Sequence, residues 1–362
     1  MMCASRNRNS VYGFYKIYLI FSGRVFLNIS FSRKAFTSIQ KYLDRSPTNG
    51  IAVGIIFKDG TAGAFCSDGV DTHTLFDIGS VSKTFTALLV LGLAEEGKLS
   101  LEETVDKYIP LPKGKYPKII NLLTHTAGYD HLTPAEITVP ALLAKRYIRA
   151  NLYRHADTQK VITALAARNK AKPDCRYGYS DFAYAVLAVA AEKITGTTFH
   201  ILLDDMIKNK LSLKNTTAFP ISPRIKVFLR GKELSPWEWD KNNPYIAGGG
   251  MVSNLEDMLA YAKIQLQSDM PQVIASQKIY TPSFSKNSNI GTCLGWHTYK
   301  KSNQLWHVGG VGAFRTSVII NRRLGYAVVV LGNAKGGRSA NVHYIAKLIY
   351  SELKKKHIKP KI

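Results

Sequence analysis

Ser80 and Lys83 stand three positions apart in the stretch FDIGSVSKTFTALLVLGLAEEGKLS, residues 76–100. From Phe85 to Ala94 nearly every position is apolar, and a helix that is apolar all round is a buried one. Gly97 suits the left-handed cap that would end it. Residues i and i+3 of a helix have Cβ atoms about 5–6 Å apart on one face, so the hydroxyl and the ammonium are within reach of each other. A lysine beside a buried helix start is desolvated, which lowers its pKa until the neutral amine can take a proton from a neighbouring hydroxyl. The open N–H groups of the same helix start can meet a developing oxyanion. The plain alternative is that Ser80 caps the helix and Lys83 is a surface charge. Ser82 is the weaker nucleophile candidate, because its i+3 partner is Phe85.

Two other segments carry side chains of matching chemistry. KPDCRYGYSDFAYAVLAVAAEKITG sets Tyr179, Ser180 and Asp181 in a turn before a second buried helix. QLWHVGGVGAF ends a strand with His307, Val308 and Gly309, followed by Gly310 and Gly312, whose missing side chains let backbone approach a ligand. His125 in THTAG has no second ligand at i+4 and reads as a loop-stabilising residue. GNAKGGRS, residues 332–339, approaches a phosphate-binding loop, but Arg338 replaces the lysine and too little chain follows for a nucleotide hydrolase; a glycine-rich turn explains it.

Together these segments resemble the serine β-lactamase and penicillin-binding protein superfamily, in its class C β-lactamase, D-aminopeptidase and esterase branch. SVSK matches S-x-x-K, YSD is similar to Y-x-N, and HVG is similar to the H-x-G variant of K-T-G. NLLTHTAG, AGGGMVSNLEDM and VGAFRTSVIINRRLGYAVVVLGN extend the likeness from about residue 36 to 355, in the family's order. The resemblance implies that Ser80 is the acylated nucleophile and Lys83 its general base. Tyr179 would relay a proton to the leaving group and later activate water, and His307 would orient Tyr179 or a substrate carboxylate. The oxyanion hole would combine the Ser80 N–H with a strand N–H near Gly312 or Ala313, and Asp181, Gly309 and Gly310 would also face the substrate. No metal or organic cofactor is implied. The implied substrates are D-amino-acid peptides, esters or β-lactams, and the implied setting is the cell envelope. A class C-type β-lactamase is one alternative; a catalytically inactive relative that binds cell wall or a partner through the same cleft is another.

Two positions depart from the pattern. Asp181 replaces an asparagine, and an ionised carboxylate only accepts hydrogen bonds and adds a negative charge. It could hold Lys83 protonated, or select substrates with a free ammonium. His307 replaces a permanent lysine charge with a group largely neutral at pH 7, which favours a peptidase or esterase over a dedicated β-lactamase.

The elements that must position these residues follow from periodicity. AFTSIQKYLDRSP reads as a short amphipathic helix, and GIAVGIIF and AGAFCS flank KDGT as a hairpin. Helical patterns fill the region from about 97 to 215: LEETVDKYI, KIINLLTHT, AEITVPALLAKRYI, QKVITALAARN and FAYAVLAVAAEKITG. NLEDMLAYAKIQL adds another. Beyond 293, strands LGWHTY, QLWHV, FRTSVII and YAVVVLGN precede a closing helix, ANVHYIAKLIYSELKKK. The expected fold class is therefore α/β (α+β): an antiparallel sheet flanked by helices and built from both chain ends, plus a helical insertion domain. Residues 1–35 form a basic apolar leader, 36–79 and 293–357 the sheet domain, and 80–292 the mostly helical domain.

At 362 residues, with 46% hydrophobic and 20% charged residues, the chain is globular and long enough for one large or two fused domains. Its net charge of +24 concentrates at the ends: the first 43 residues contain no Asp or Glu, and the tail closes KKKHIKPKI. Such ends suit an anionic membrane or cell-wall polymer; a generally basic composition with solvated charges is the plain alternative. Nucleic acid is not the expected partner, since zinc-finger spacing, RNP-like aromatics and basic-heptad regions are all missing. Residues 10–32 are apolar but broken by Lys16 and Arg24, which leaves interfacial anchor, export signal, transit peptide and spurious upstream translation open. The four cysteines are scattered and form no C-x-x-C pair, which argues against a zinc site or a dense disulfide framework.

Overall fold

The computed structural model describes residues 32–129, 151–170, 177–229, 232–280 and 289–358. Within them, seven strands form one antiparallel sheet: β1 (Ile51–Phe57), β2 (Ala62–Cys66), β3 (Ile290–Thr292), β4 (His297–Tyr299), β5 (Gln304–Val311), β6 (Phe314–Asn321) and β7 (Tyr326–Gly332). Their order is β2-β1-β7-β6-β5-β4-β3. The N-terminal hairpin joins the C-terminal meander where β1 pairs with β7, Val53 opposite Val330. This is the sheet of both chain ends that the sequence implies.

The central strands are buried on both faces, so they alternate between two cores rather than between core and water. Val328 and Val330 pack with α1 (Arg33–Leu43) and α5 (Val342–Ile358), among Ile39, Tyr42, Ile345 and Ile349. Ala327, Val329 and Leu331 face the other way, into the larger core shared with α2 (Ser82–Glu95), α3 (Asp181–Thr195) and α4 (Leu255–Gln267). The α2 helix is buried around its whole circumference from Ser82 to Leu91, as its apolar sequence requires. It ends at Glu95, and Gly97 takes a φ of +70°.

LEETVDKYI does not form the expected helix. Only Val105–Lys107 makes a single 3-10 turn, because Thr104 bridges Lys118 and Val105 donates to Pro117 O, taking the segment into a strand-like pairing. The expected helix over AEITVPALLAKRYI falls outside the described residues, as do Cys3, Cys175 and the leader up to residue 31.

Candidate active site

The nucleophile candidate sits on a tight turn. After a short strand, Phe76–Asp77, the chain turns through a 3-10 element, Gly79–Val81, directly into α2. Gly79 has a φ of +52°, and a methyl added to it would lie 2.5 Å from Gly310 N. A methyl on Gly309 would lie 1.9 Å from Ile78 O. Both positions need glycine because β5 runs backbone-to-backbone against the turn that carries Ser80. Ser82 is fully buried; its hydroxyl donates to Gly79 O and accepts from Met251 N. It therefore braces the turn.

Lys83 is completely buried, and its Nζ lies 3.4 Å from Ser80 Oγ. The same Nζ donates to Gly248 O at 2.6 Å and pairs with Asp181 Oδ1 at 2.5 Å. The rings of Tyr179 and Tyr184 enclose it at 4.8 and 5.3 Å. Burial lowers the Lys83 pKa, and the Asp181 carboxylate opposes that shift. The other oxygen of Asp181 accepts from Tyr153 Oη at 3.1 Å, and Tyr153 stacks on Tyr245 with ring centroids 4.6 Å apart. Asp181 is thus turned onto Lys83 and Tyr153.

Tyr179 precedes the Ser180 cap of α3, whose hydroxyl accepts from Ala183 N. Its phenol shares a hydrogen bond with Ser80. Burial and the nearby Asp181 carboxylate drive its pKa well above 10, so it stands as a neutral phenol. His125, at a φ of +58°, shapes this loop: its Nδ1 accepts from Ser180 N, its carbonyl accepts from Gly178 N, and its ring packs 4.4 Å from that of Tyr179.

On β5, His307 is buried, with its ring centroid 6.5 Å from Tyr179 and 5.1 Å from His297. Its Nδ1 lies 2.9 Å from Val308 O. A carbonyl only accepts, so Nδ1 carries the proton and Nε2 is left as an acceptor. Burial, His297 and Lys83 keep the ring pKa well below 6.5. This is the neutral imidazole anticipated at that position, and an acceptor nitrogen offers nothing to a carboxylate. Orienting Tyr179 is the role its chemistry allows.

A cleft of about 750 Å³ opens over Ser80, lined by Tyr179, His307, Gly309, Gly310 and Gly312. The structure brings Ser80, Lys83, Tyr179 and His307 together from three distant segments. Asp181 turns its carboxylate onto the buried Lys83 amine, the first of the two roles open to it from sequence, and neither it nor Ala313 is among the residues that line the cleft. Gly312 and Ala313 form the two-residue turn between Val311 and Phe314. Residues flanking such a turn pair with each other across the hairpin, so by alternation the Gly310 N–H points away from β6, at the level of the Ser80 turn. It is the better-placed strand donor for an oxyanion.

Sequence reasoning missed several cleft residues. Trp237, Arg315, Lys335 and Arg338 line it, the last two from the glycine-rich turn dismissed as a phosphate loop. The glycine run of AGGGMVS contains Gly248, whose carbonyl holds Lys83. Tyr153 left no signal in the sequence.

Comparisons with known proteins bear on the family and the fold. A family model described as Beta-lactamase matches residues 37–351. "Protein flp" of Staphylococcus aureus (strain MW2) is 24% identical, covering 92% of this chain and 61% of its own length. The chain thus spans about three fifths of that relative. Among solved structures, the octameric penicillin-binding protein homologue from Pyrococcus abyssi superposes with a TM-score of 0.72 at 22% identity, covering 91% of this chain and 78% of that one. A class C β-lactamase mutant gives a TM-score of 0.72 at 18% identity, covering 88% and 96%.

Proposed function

The chain belongs to the beta-lactamase family, and from that premise we propose that it is a serine acyl-transfer hydrolase acting on D-amino-acid peptides or esters. The observation that carries the proposal is the buried Lys83 amine 3.4 Å from a Ser80 hydroxyl that also hydrogen-bonds Tyr179. Lys83 takes the Ser80 proton as Oγ attacks the substrate carbonyl. The N–H groups of Ser80 and Gly310 receive the oxyanion. Tyr179 gives its phenol proton to the departing oxygen or nitrogen as Lys83 hands it the proton taken from Ser80; in the second half water loses a proton to Lys83 through Tyr179 as it attacks the acyl carbon, and that proton returns to Ser80 Oγ as the acyl group leaves. The raised Tyr179 pKa argues against a phenolate base and leaves the amine in that role.

The neutral His307 supports peptides and esters over β-lactams, because a strand lysine charge is what it replaces. One observation favours the β-lactamase reading: positive charge returns to the cleft through Arg315, Lys335 and Arg338, which suit a substrate carboxylate. Comparing kcat/KM for a short-chain p-nitrophenyl ester with that for nitrocefin separates the two. A larger value for the ester is expected; a larger value for nitrocefin overturns the preference.

A further inference from the structure

We infer that the end of the molecule opposite the cleft is a docking surface for an anionic lipid bilayer. The inference rests on topology and does not depend on the catalytic reading. In the antiparallel meander β5 runs toward the cleft and β6 away from it, so alternate turns collect at the far end of the sheet. Each of those turns carries a cation, offset in the first by Asp59. The β1–β2 turn carries Lys58, the β4–β5 turn Lys300 and Lys301, and the β6–β7 turn Arg322 and Arg323.

The two helices on the outer face add to the same end. The α5 helix begins beside the cleft, where Asn341 and His343 line it, and runs away for 17 residues, about 25 Å at helical rise. The α1 helix runs the opposite way, ending with Tyr42 against Ala334. Their far ends meet where Ser32 N donates to Glu352 Oε2 at 3.1 Å. That junction adds Arg33 and Lys34 from one helix and Lys354 and Lys355 from the other. Against these nine cations stand three acids: Glu352, which accepts from Ser32, Asp269, 3.4 Å from Arg322, and Asp59, which accepts from Thr61 N.

Composition selects the bilayer over a soluble polyanion. Residues 1–31, which join the fold at this same junction, combine Arg6, Arg8, Lys16 and Arg24 with an aromatic and aliphatic run and no acid. A polymer in water offers such side chains nowhere to go, whereas the headgroup–acyl boundary accepts both the apolar groups and the cations. Docked by this end, the cleft would open away from the lipid.

The test is cosedimentation of the full chain with phosphatidylcholine vesicles with and without about a third phosphatidylglycerol. Each cation near an anionic surface strengthens partitioning about five-fold, so the exposed quartet Lys58→Gln, Lys301→Gln, Arg323→Gln and Lys355→Gln should weaken it on the order of 1,000-fold. Thermal unfolding should be close to that of the unmodified chain, since all four side chains are exposed. The unmodified chain supplies an independent readout: raising salt from ~0.1 M to ~1 M contracts screening from about 10 Å to about 3 Å and should release it. Equal binding to neutral and anionic vesicles overturns the inference, as does undiminished binding by a folded quadruple variant or tighter binding to double-stranded DNA than to vesicles at matched salt.

Discussion

Lys83 with Asp181 and Arg224 with Asp77 are both cation–carboxylate pairs set around the Ser80 turn, yet opposite members of them are dehydrated. In the first, the lysine side chain has no exposure and the aspartate 19%. In the second, the aspartate has 1% and the arginine 14%. Dehydration disfavours whichever charge suffers it. It lowers the Lys83 pKa and makes an amine able to accept a proton. It raises Asp77 to about 6 and yields a brace, since Arg224 also donates to Trp237 O and so ties the strand before Ser80 to the cleft wall. The ion pair itself does not announce function; the member deprived of water does.

The contrast can be broken most severely at Lys83. Lys83→Met should lower kcat/KM by about a thousand-fold, within the range for loss of a positioned acid–base group, while leaving thermal unfolding near that of the parent. Mainly lost stability with activity retained per folded molecule would make Lys83 the brace instead.

Arg224→Met should do the converse. It leaves Asp77 buried without its cation and should cost about 3–5 kcal/mol of stability. The pH dependence carries the sign. Asp77 has a folded pKa of about 6, above the unfolded value of 3.8, so its favourable contribution is complete below 3.8 and lost as pH rises through 6. The deficit of the variant, read by thermal unfolding, should therefore be smaller at pH 4 than at pH 8. A deficit independent of pH would remove Asp77 from the explanation.

The smallest effect sharpens the first pair. Asp181→Asn removes the charge that opposes dehydration of Lys83, which increases the neutral amine at pH 7. Acylation should rise on the order of 10-fold and the acid limb of the rate profile move to lower pH, each pKa unit being worth about 1.4 kcal/mol. An unchanged profile would show that Asp181 does not set the protonation of Lys83.

Much of this was legible before any coordinates. The buried α2 helix, the Ser80–Lys83 spacing and the hairpin joining the C-terminal meander all follow from local periodicity, which sequence displays directly. Tyr179 and His307 were found only through family likeness, because nothing local relates them to Ser80. Tyr153, Trp237 and Arg224 stayed hidden for the same reason: their roles are contacts across the fold, Tyr153 reaching Asp181 and Arg224 reaching Asp77. Moving the oxyanion donor from Gly312 or Ala313 to Gly310 also needed the register of β5 on β6, which puts Gly312 and Ala313 in the turn beyond the paired residues.

Intact-mass analysis after exposure to a fluorescent penicillin or a phosphonate reports on the nucleophile itself. A single adduct on the unmodified chain, absent from Ser80→Ala, is the predicted result. An adduct that survives in Ser80→Ala, or none on the unmodified chain with either reagent, would contradict the assignment of Ser80 as the acylated residue.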